Sequence, residues 1–329
     1  MSERPAPDRG AAAGAGWVKV FAPATIANLG PGFDCLGVAL DGPGDTVAVR
    51  RRDGAPAGVI ITAMTGDAGG IPASAEENCA GRAALAVLRQ IPGKAGREAS
   101  IEMTIHKGLP RGSGLGSSAA SAVAGAVAAH LLLESPIGKN SLLDAALEGE
   151  MVASGGRHAD NLAAALLGGF TIVRSHDPLD VIRLEAPPQA RFVVVLPEME
   201  IATRYARSIL PQTVPFQDAV SNAANAAALV AAVARGNVAD LGRAIVDRVV
   251  EPARRHLIPG FDDVKRAAVE AGACGGSISG AGPAVFAVTT PDKAEAVAAA
   301  MHAAFSRHGL GARHFICPPD NRGARRVDA

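Results

Sequence analysis

The sequence predicts an α+β protein of two domains rather than one doubly wound sheet. Three observations carry this. The chain has 329 residues, enough for two domains at roughly 150 residues each. Its strand and helix signals mix without the regular β-α-β-α order that builds a parallel sheet. Prolines and charges cluster over 175–188, which predicts a boundary there. The expected divisions are a disordered tail over 1–16, an N-terminal domain over 17–175 and a C-terminal domain over 180–320.

The elements follow in order. Trp17–Ala22 alternates and is β-prone. Pro23–Pro43 is rich in glycine and proline and reads as a long loop, a length that points to function. Thr46–Arg51 and Val59–Thr62 read as strands, and Glu76–Ile91 has helical apolar spacing. In Ser100–His106, Ile101, Met103 and Ile105 share one face and Glu102, Thr104 and His106 the other, as in a half-buried strand. A glycine-rich turn, Gly108–Gly116, leads into an alanine-rich helix over Ser117–Leu133. Asn140 or Ser141 caps a helix reaching about Ala153. His158–Leu167 is a short helix and Phe170–Arg174 a strand. Beyond the boundary, Val181–Leu184, Phe192–Leu196, Ala284–Val288 and Arg313–Cys317 read as strands. Thr203–Leu210, Phe216–Arg235, Val238–Val250, Asp262–Ala271 and Pro291–His308 read as helices, and Gly275–Gly282 as a second glycine-rich turn.

Composition excludes several classes. Hydrophobic residues are 48% and charged residues 19%, enough apolar material for a core and too little charge for disorder. Lys+Arg and Asp+Glu are both 32, so there is no global positive field to draw nucleic acid or anionic lipid. Aromatics are 3%, which leaves an aliphatic core and no stacking platform for single strands. Cys35, Cys79, Cys274 and Cys317 are far apart and form no metal-binding pair; they read as reduced thiols of a cytoplasmic protein. The N-terminus has no apolar signal region, and the longest apolar stretch, Ala119–Leu133, is too short to span a membrane.

The chemistry concentrates in Leu109–Ala120, between a strand and a helix. Glycines let the backbone turn its N–H groups toward a ligand, and the following helix offers free N–H groups and a positive dipole end, which suits phosphate. Ser117 and Ser118 could bind phosphate or ligate magnesium. The loop is neither a Walker A motif, which needs Gly-Lys-Ser/Thr, nor the G-x-G-x-x-G dinucleotide fingerprint. The alternative is a capped turn without a ligand.

The run Pro110, Arg111, Gly112, Ser113, Gly114, Leu115, Gly116, Ser117, Ser118 and Ala119 resembles the phosphate-binding motif of the GHMP kinases, the relatives of galactokinase, homoserine kinase and mevalonate kinase. Ala22–Asp34 resembles the family's first motif in its homoserine kinase form, and Gly276–Pro283 its third. Glu150 with His158-Ala159-Asp160-Asn161, Thr203 and Arg207 before Ile209-Leu210-Pro211, and Pro252-Ala253-Arg254 with Leu257–Phe261 are similar to further segments of that branch. The resemblance implies an N-terminal ATP-binding βα domain, a ferredoxin-like α/β-sandwich C-terminal domain, and ATP at their interface. It implies a homodimer with ATP, magnesium and L-homoserine as its small-molecule ligands.

The residue roles follow from that resemblance and from side-chain chemistry. Glu150 and Ser118 suit magnesium. Arg207 and Arg254 suit a substrate carboxylate, because guanidinium pairs bidentately. Asp34 suits an ammonium, and Asn28, His158 and Thr203 can orient the rest. Asn78 reads adenine through its amide or simply caps a helix. Lys107 and Arg111 flank the loop and read as solvated charges. Asn161 stands where other members carry an aspartate base, so the hydroxyl attacks directly and the proton leaves to phosphate or solvent. Asp160 is about 100° round the helix from Asn161 and is not assigned as the base. The alternatives are a related kinase for threonine or shikimate, or a non-catalytic metabolite sensor; Glu150 beside an intact loop argues against the sensor.

Overall fold

The structure, a computed structural model, describes residues 16–66, 69–156 and 158–328. The tail expected over 1–16 lies, apart from Gly16, outside the described residues. The elements are β1 (Val18–Ala27), β2 (Leu36–Arg51), β3 (Gly58–Gly66), α1 (Cys79–Gln90), α2 (Lys94–Arg97), β4 (Ser100–Lys107), α3 (Ser117–Leu133), α4 (Lys139–Ser154), α5 (Asp160–Leu167), β5 (Phe170–His176), β6 (Leu179–Leu184), β7 (Arg191–Pro197), α6 (Thr203–Ser208), α7 (Phe216–Arg235), α8 (Val238–Arg243), α9 (Val250–Arg254), α10 (Phe261–Glu270), β8 (Gly275–Ile278), β9 (Val285–Thr289), α11 (Ala294–Arg307), β10 (Ala312–Cys317) and β11 (Arg325–Arg326).

The first sheet runs β11-β1-β2-β4-β3, with β5 on the first part of β2 and β6 on β5. Only β3 and β4 are parallel, joined through α1 and α2. The sheet therefore continues past the expected edge at 175 to Leu184, because β6 folds back on β5. The long loop expected over Pro23–Pro43 shrinks to Asn28–Cys35. β1 and β2 pair through most of it, and a register shift after Pro23 absorbs its irregular residues. Glycine is needed at Gly37 for close approach, since a Cβ there would lie 2.4 Å from the Asp160 carbonyl oxygen.

Helix α3 is buried almost all round. A helix this uniformly apolar belongs inside, and it lies between β1 and β2 on one side and α1 and α4 on the other. Gly138, not Asn140 or Ser141, precedes α4.

The second sheet has order β10-β7-β9-β8 and is antiparallel throughout. With helices between β7 and β8 and α11 between β9 and β10, this is the ferredoxin-like β-α-β-β-α-β arrangement. Alternate residues of β7 feed two cores. Phe192, Val194 and Leu196 join the core shared with the first domain, and Val193 and Val195 pack against α10 and α11.

One helix expectation and one turn expectation change. Val238–Val250 is broken, because the Asp247 carboxylate accepts the amides of Val249, Val250 and Glu251 and starts a new helix there. Gly275–Ile278 is strand, so the second glycine-rich turn is confined to Ser279–Pro283.

Candidate active site

The phosphate loop folds as its glycines require. Gly112, Gly114 and Gly116 have φ of +66°, +80° and +68°. Gly116 precedes α3 without a side-chain cap, so the first N–H groups of α3 have no intrahelical partner and suit an anion. The two serines divide. Ser118 Oγ donates to Glu150 Oε1 at 3.0 Å, pairing the two groups expected to hold magnesium. Ser117 Oγ turns inward, donating to the Leu109 carbonyl at 3.0 Å and accepting from Lys107 Nζ at 2.8 Å.

Lys107 is not a solvated charge. It is 3% exposed, ion-paired to fully buried Asp45, and also donates to the Ser117 carbonyl and Ser121 Oγ. Asp45 in turn accepts the amides of Gly108 and Leu109. This buried pair underpins the loop. Sequence reading missed Asp45, which carries no local sign of its distant partner. Arg111 is exposed and donates to the Gly70 carbonyl at 3.1 Å.

A cavity of about 690 Å³ spans the loop, α4 to α6 and the second-domain turn. Asn28, Asp34, Asn78, Glu150, His158, Asn161, Thr203, Arg207 and Arg254 all line it, with Arg111, Gly112, Ser113, Gly114, Gly116, Ser117 and Ser118. Pro110, Leu115 and Ala119 do not. Leu115 and Ala119 are 1% exposed and belong to the core, so they anchor the loop instead of facing a ligand. Asn78 lines the cavity, but its amide is engaged within the chain. Its Oδ1 accepts from the amides of Ala80 and Gly81, and its Nδ2 donates to the Pro72 carbonyl. Of the two readings of Asn78, the geometry supports the helix cap.

The first motif is strained and tightly tied. Asn28, Leu29 and Asp34 have φ of +69°, +49° and +57°, conformations that persist only where surroundings impose them. Asn28 Nδ2 donates to the Gly280 carbonyl and its Oδ1 accepts the Asp34 amide. The second-domain turn holds the loop as well: Ser279 Oγ donates to the Gly114 carbonyl at 2.6 Å, and the Ala284 amide to that of Ser113 at 3.2 Å.

Asp34 and Arg207 form a two-bonded fork, 2.8 and 2.7 Å, so the groups assigned to a ligand's opposite charges hold each other. That fork holds the Arg207 pKa up. Buried Arg254 donates to the Ala206 and Gly280 carbonyls, and burial, aided by Arg207, lowers its pKa to about 10. Both guanidinium carbons lie over the Phe33 ring, 5.1 and 5.3 Å from its centre. Burial and then Arg207 depress the His158 pKa. Asn161 Oδ1 accepts from Thr25 Oγ1 at 2.6 Å; Thr25 stands inside the first motif, the signal that could have singled it out. Asp160, expected to face away from Asn161, also lines the cavity. It is 3% exposed, and burial, with Asp34 second, pushes its pKa up to about 7. Among the described residues no helix is long and apolar enough to cross a membrane.

Comparisons with known proteins agree with this geometry. Residues 78–169 match the GHMP kinases N terminal domain and residues 229–307 the GHMP kinases C terminal domain. Homoserine kinase of Chloroherpeton thalassium is 43% identical over 93% of this chain and 98% of its own length. That of Arabidopsis thaliana is 45% identical over 95% of this chain and 85% of its own. The crystal structure of homoserine kinase from Cytophaga hutchinsonii superimposes with a TM-score of 0.88 at 44% identity, covering 94% of this chain and 97% of that one. Near end-to-end alignment at this level, on a fold that superimposes this closely, means that the chain belongs to the homoserine kinases of the GHMP kinase family.

Proposed function

We propose that this chain transfers the γ-phosphoryl group of ATP to the hydroxyl of L-homoserine, giving O-phospho-L-homoserine and ADP for threonine synthesis. The observation that carries this reading is the convergence in one cavity of a glycine-lined phosphate loop, the Ser118–Glu150 pair and the Asp34–Arg207–Arg254 cluster.

Phosphoryl transfer asks for positioning and charge neutralisation more than covalent help. The loop amides and the α3 N-terminus hold the ATP phosphates. The paired hydroxyl and carboxylate of Ser118 and Glu150 fit magnesium, which when bound supplies positive charge against the phosphate oxygens. A zwitterionic substrate exchanges with the Asp34–Arg207 fork without stranding either charge: its ammonium takes Asp34, and its carboxylate takes Arg207 and Arg254. Thr25 occupies the oxygen end of the Asn161 amide, which leaves the NH₂ end to orient the hydroxyl. That hydroxyl oxygen bonds to the γ-phosphorus while the bond from phosphorus to the β–γ bridging oxygen breaks, and ADP leaves with the electron pair. The hydroxyl proton passes to a phosphoryl oxygen or solvent, since an amide is no base. Asp160, buried in the same cavity with its pKa near 7, is the second reading for that proton; Asp160→Asn should abolish turnover if it holds and leave most of it if it does not.

Cytoplasmic location, a homodimeric state and the absence of nucleic-acid or membrane partners complete the reading. Balanced charge supports the last, and light scattering tests the dimer. The deciding experiment is ADP release with homoserine, threonine, shikimate and 3-aminopropan-1-ol, which lacks the carboxylate. Homoserine should lead the last by about 100-fold in kcat/KM, about 3 kcal/mol of lost charged hydrogen bonds. Equal rates would reject the substrate reading.

A further inference from the structure

Among the described residues, six side chains that can carry positive charge line the cavity: Lys107, Arg111, His158, Arg204, Arg207 and Arg254. Five are engaged or depressed. Lys107 is paired with Asp45 and Arg207 with Asp34. Arg254 is tied to two carbonyls and Arg111 to one, while burial favours neutral His158. Arg204 is different: it is exposed to solvent, and among the described residues it makes no hydrogen bond or ion pair.

Its position is specific. Arg204 lies on α6 between Thr203 and Arg207, three residues from the latter, so both arginines reach the cavity from one face of the helix. Arg207 turns to Asp34, on the substrate side. The Arg204 guanidinium turns to the end of α4: a Cβ on Gly155 would stand 3.3 Å from its Nη2. Gly155 caps α4 five residues after Glu150, a rise of about 7.5 Å at 1.5 Å per residue. The guanidinium thus lies past Glu150 toward the C-terminal end of α4, on the cavity wall that Glu150, Val152 and Ala153 share with α6.

We propose that Arg204 is a catalytic residue that contacts the γ-phosphoryl group during transfer. The transferring group spreads its charge over three equatorial oxygens, and a planar fork can meet two of them. The loop amides are fixed dipoles, and the buried Lys107 charge is already balanced by Asp45. Arg204 supplies an unbalanced full charge on a side chain long enough to follow the group from ADP to the acceptor oxygen. Its part is to hold the phosphoryl oxygens, with no proton given or taken, so the bonds made and broken are those of the transfer given above.

This inference rests on the homoserine kinase reading, and the test separates the two. Native enzyme that releases no ADP with homoserine rejects that reading; the comparison of variants with native enzyme addresses Arg204. Arg204→Ala and Arg204→Gln should lower kcat by about 10²–10³-fold, the effect of removing one preorganised donor from a transition state. KM for homoserine and ATP should stay within a few fold and the melting temperature unchanged, and Arg204→Lys should recover part of the loss. Affinity for ADP with magnesium, aluminium fluoride and homoserine, which imitates the transferring group, should fall by a similar factor while ADP alone binds as before. Native-like kcat, a rise in KM for homoserine alone, or an unaltered aluminium fluoride complex would each overturn the assignment.

Discussion

Ser117 and Ser118 are chain neighbours with opposite duties, because successive helical residues point about 100° apart. Ser118 meets Glu150, and Ser117 meets Lys107. This geometry makes Glu150→Gln informative, since it keeps shape and removes the charge. Turnover should fall about 100-fold or more, as for loss of other charge-stabilising groups, with the melting curve little changed; near-native turnover in a coupled ADP assay would remove Glu150 from the metal site. Asp160 makes a prediction about stability. Its folded pKa is raised to about 7 by burial, so the folded state keeps a proton that the unfolded state releases above about pH 4. Its contribution is complete below about pH 4 and is lost as pH rises to about 7, roughly 4 kcal/mol in all at about 1.4 per pKa unit. In the ligand-free protein, Asp160→Asn should flatten the fall in melting temperature between pH 4.5 and 8 and raise it at pH 8. Parallel curves would show that Asp160 is ionised throughout.

At the scale of elements, small residues set the approach of α1, α3 and α4. A Cβ on Gly125 of α3 would lie 2.3 Å from the Ala80 carbonyl, and one on Gly149 of α4 would lie 2.4 Å from that of Cys79. That contact is why an alanine-rich chain with few aromatics still packs densely. Gly116 couples the loop to its surroundings differently. Its φ is +68°, and a Cβ would fall 2.0 Å from Thr25 Oγ1 and 2.9 Å from Asn161 Oδ1. Gly116→Ala should therefore cost about 1–2 kcal/mol in backbone strain alone, and more through the broken Thr25–Asn161 bond. Calorimetry should show both a lower melting temperature and weaker ATP binding. Loss of ATP binding at unchanged stability would mean that the glycine serves only the phosphate.

The whole molecule is closed by its last residues. After β10 in the second sheet, the chain returns to the first: the Asp41 amide donates to the Pro318 carbonyl, the Gly169 amide to that of Asp320, and β11 pairs with β1. Asp320 is 1% exposed and accepts from the Arg322 and Gly323 amides and from Arg325 Nη1 at 2.6 Å. Arg325 also stacks on Phe21 at 4.8 Å. Removing the carboxylate leaves these donors without their acceptor, a loss of about 3–5 kcal/mol for a buried charge pair. Asp320→Ala should lower the denaturant midpoint accordingly, and because the segment joins both sheets, one cooperative transition should carry the loss. A change under 1 kcal/mol would make the segment an appendage.

Local signals were enough for the elements whose partners are local. The alternation of Ser100–His106, the uniform apolarity of Ser117–Leu133 and the glycine spacing of the loop are written in neighbouring residues, and the structure keeps all three. The three motifs also carried the family and the glycine loop, and the further segments around Glu150, His158, Thr203, Arg207 and Arg254 carried other residues that line the cavity. Tertiary structure decided whatever depends on a partner distant in sequence. Lys107 reads as a solvated charge until Asp45, 62 residues away, removes it from water. Pro23–Pro43 reads as a loop until β1 and β2 pair through it, and Asn78 reads equally as an adenine reader or a helix cap until its amide closes on α1. Asp160 and Asn161 line one cavity although their side chains start about 100° apart on the helix, at the helix end that Gly37 lets β2 approach. In each case a side chain's charge, hydrogen bonds and exposure belong to its neighbours in space, and a one-dimensional pattern names only its neighbours in the chain.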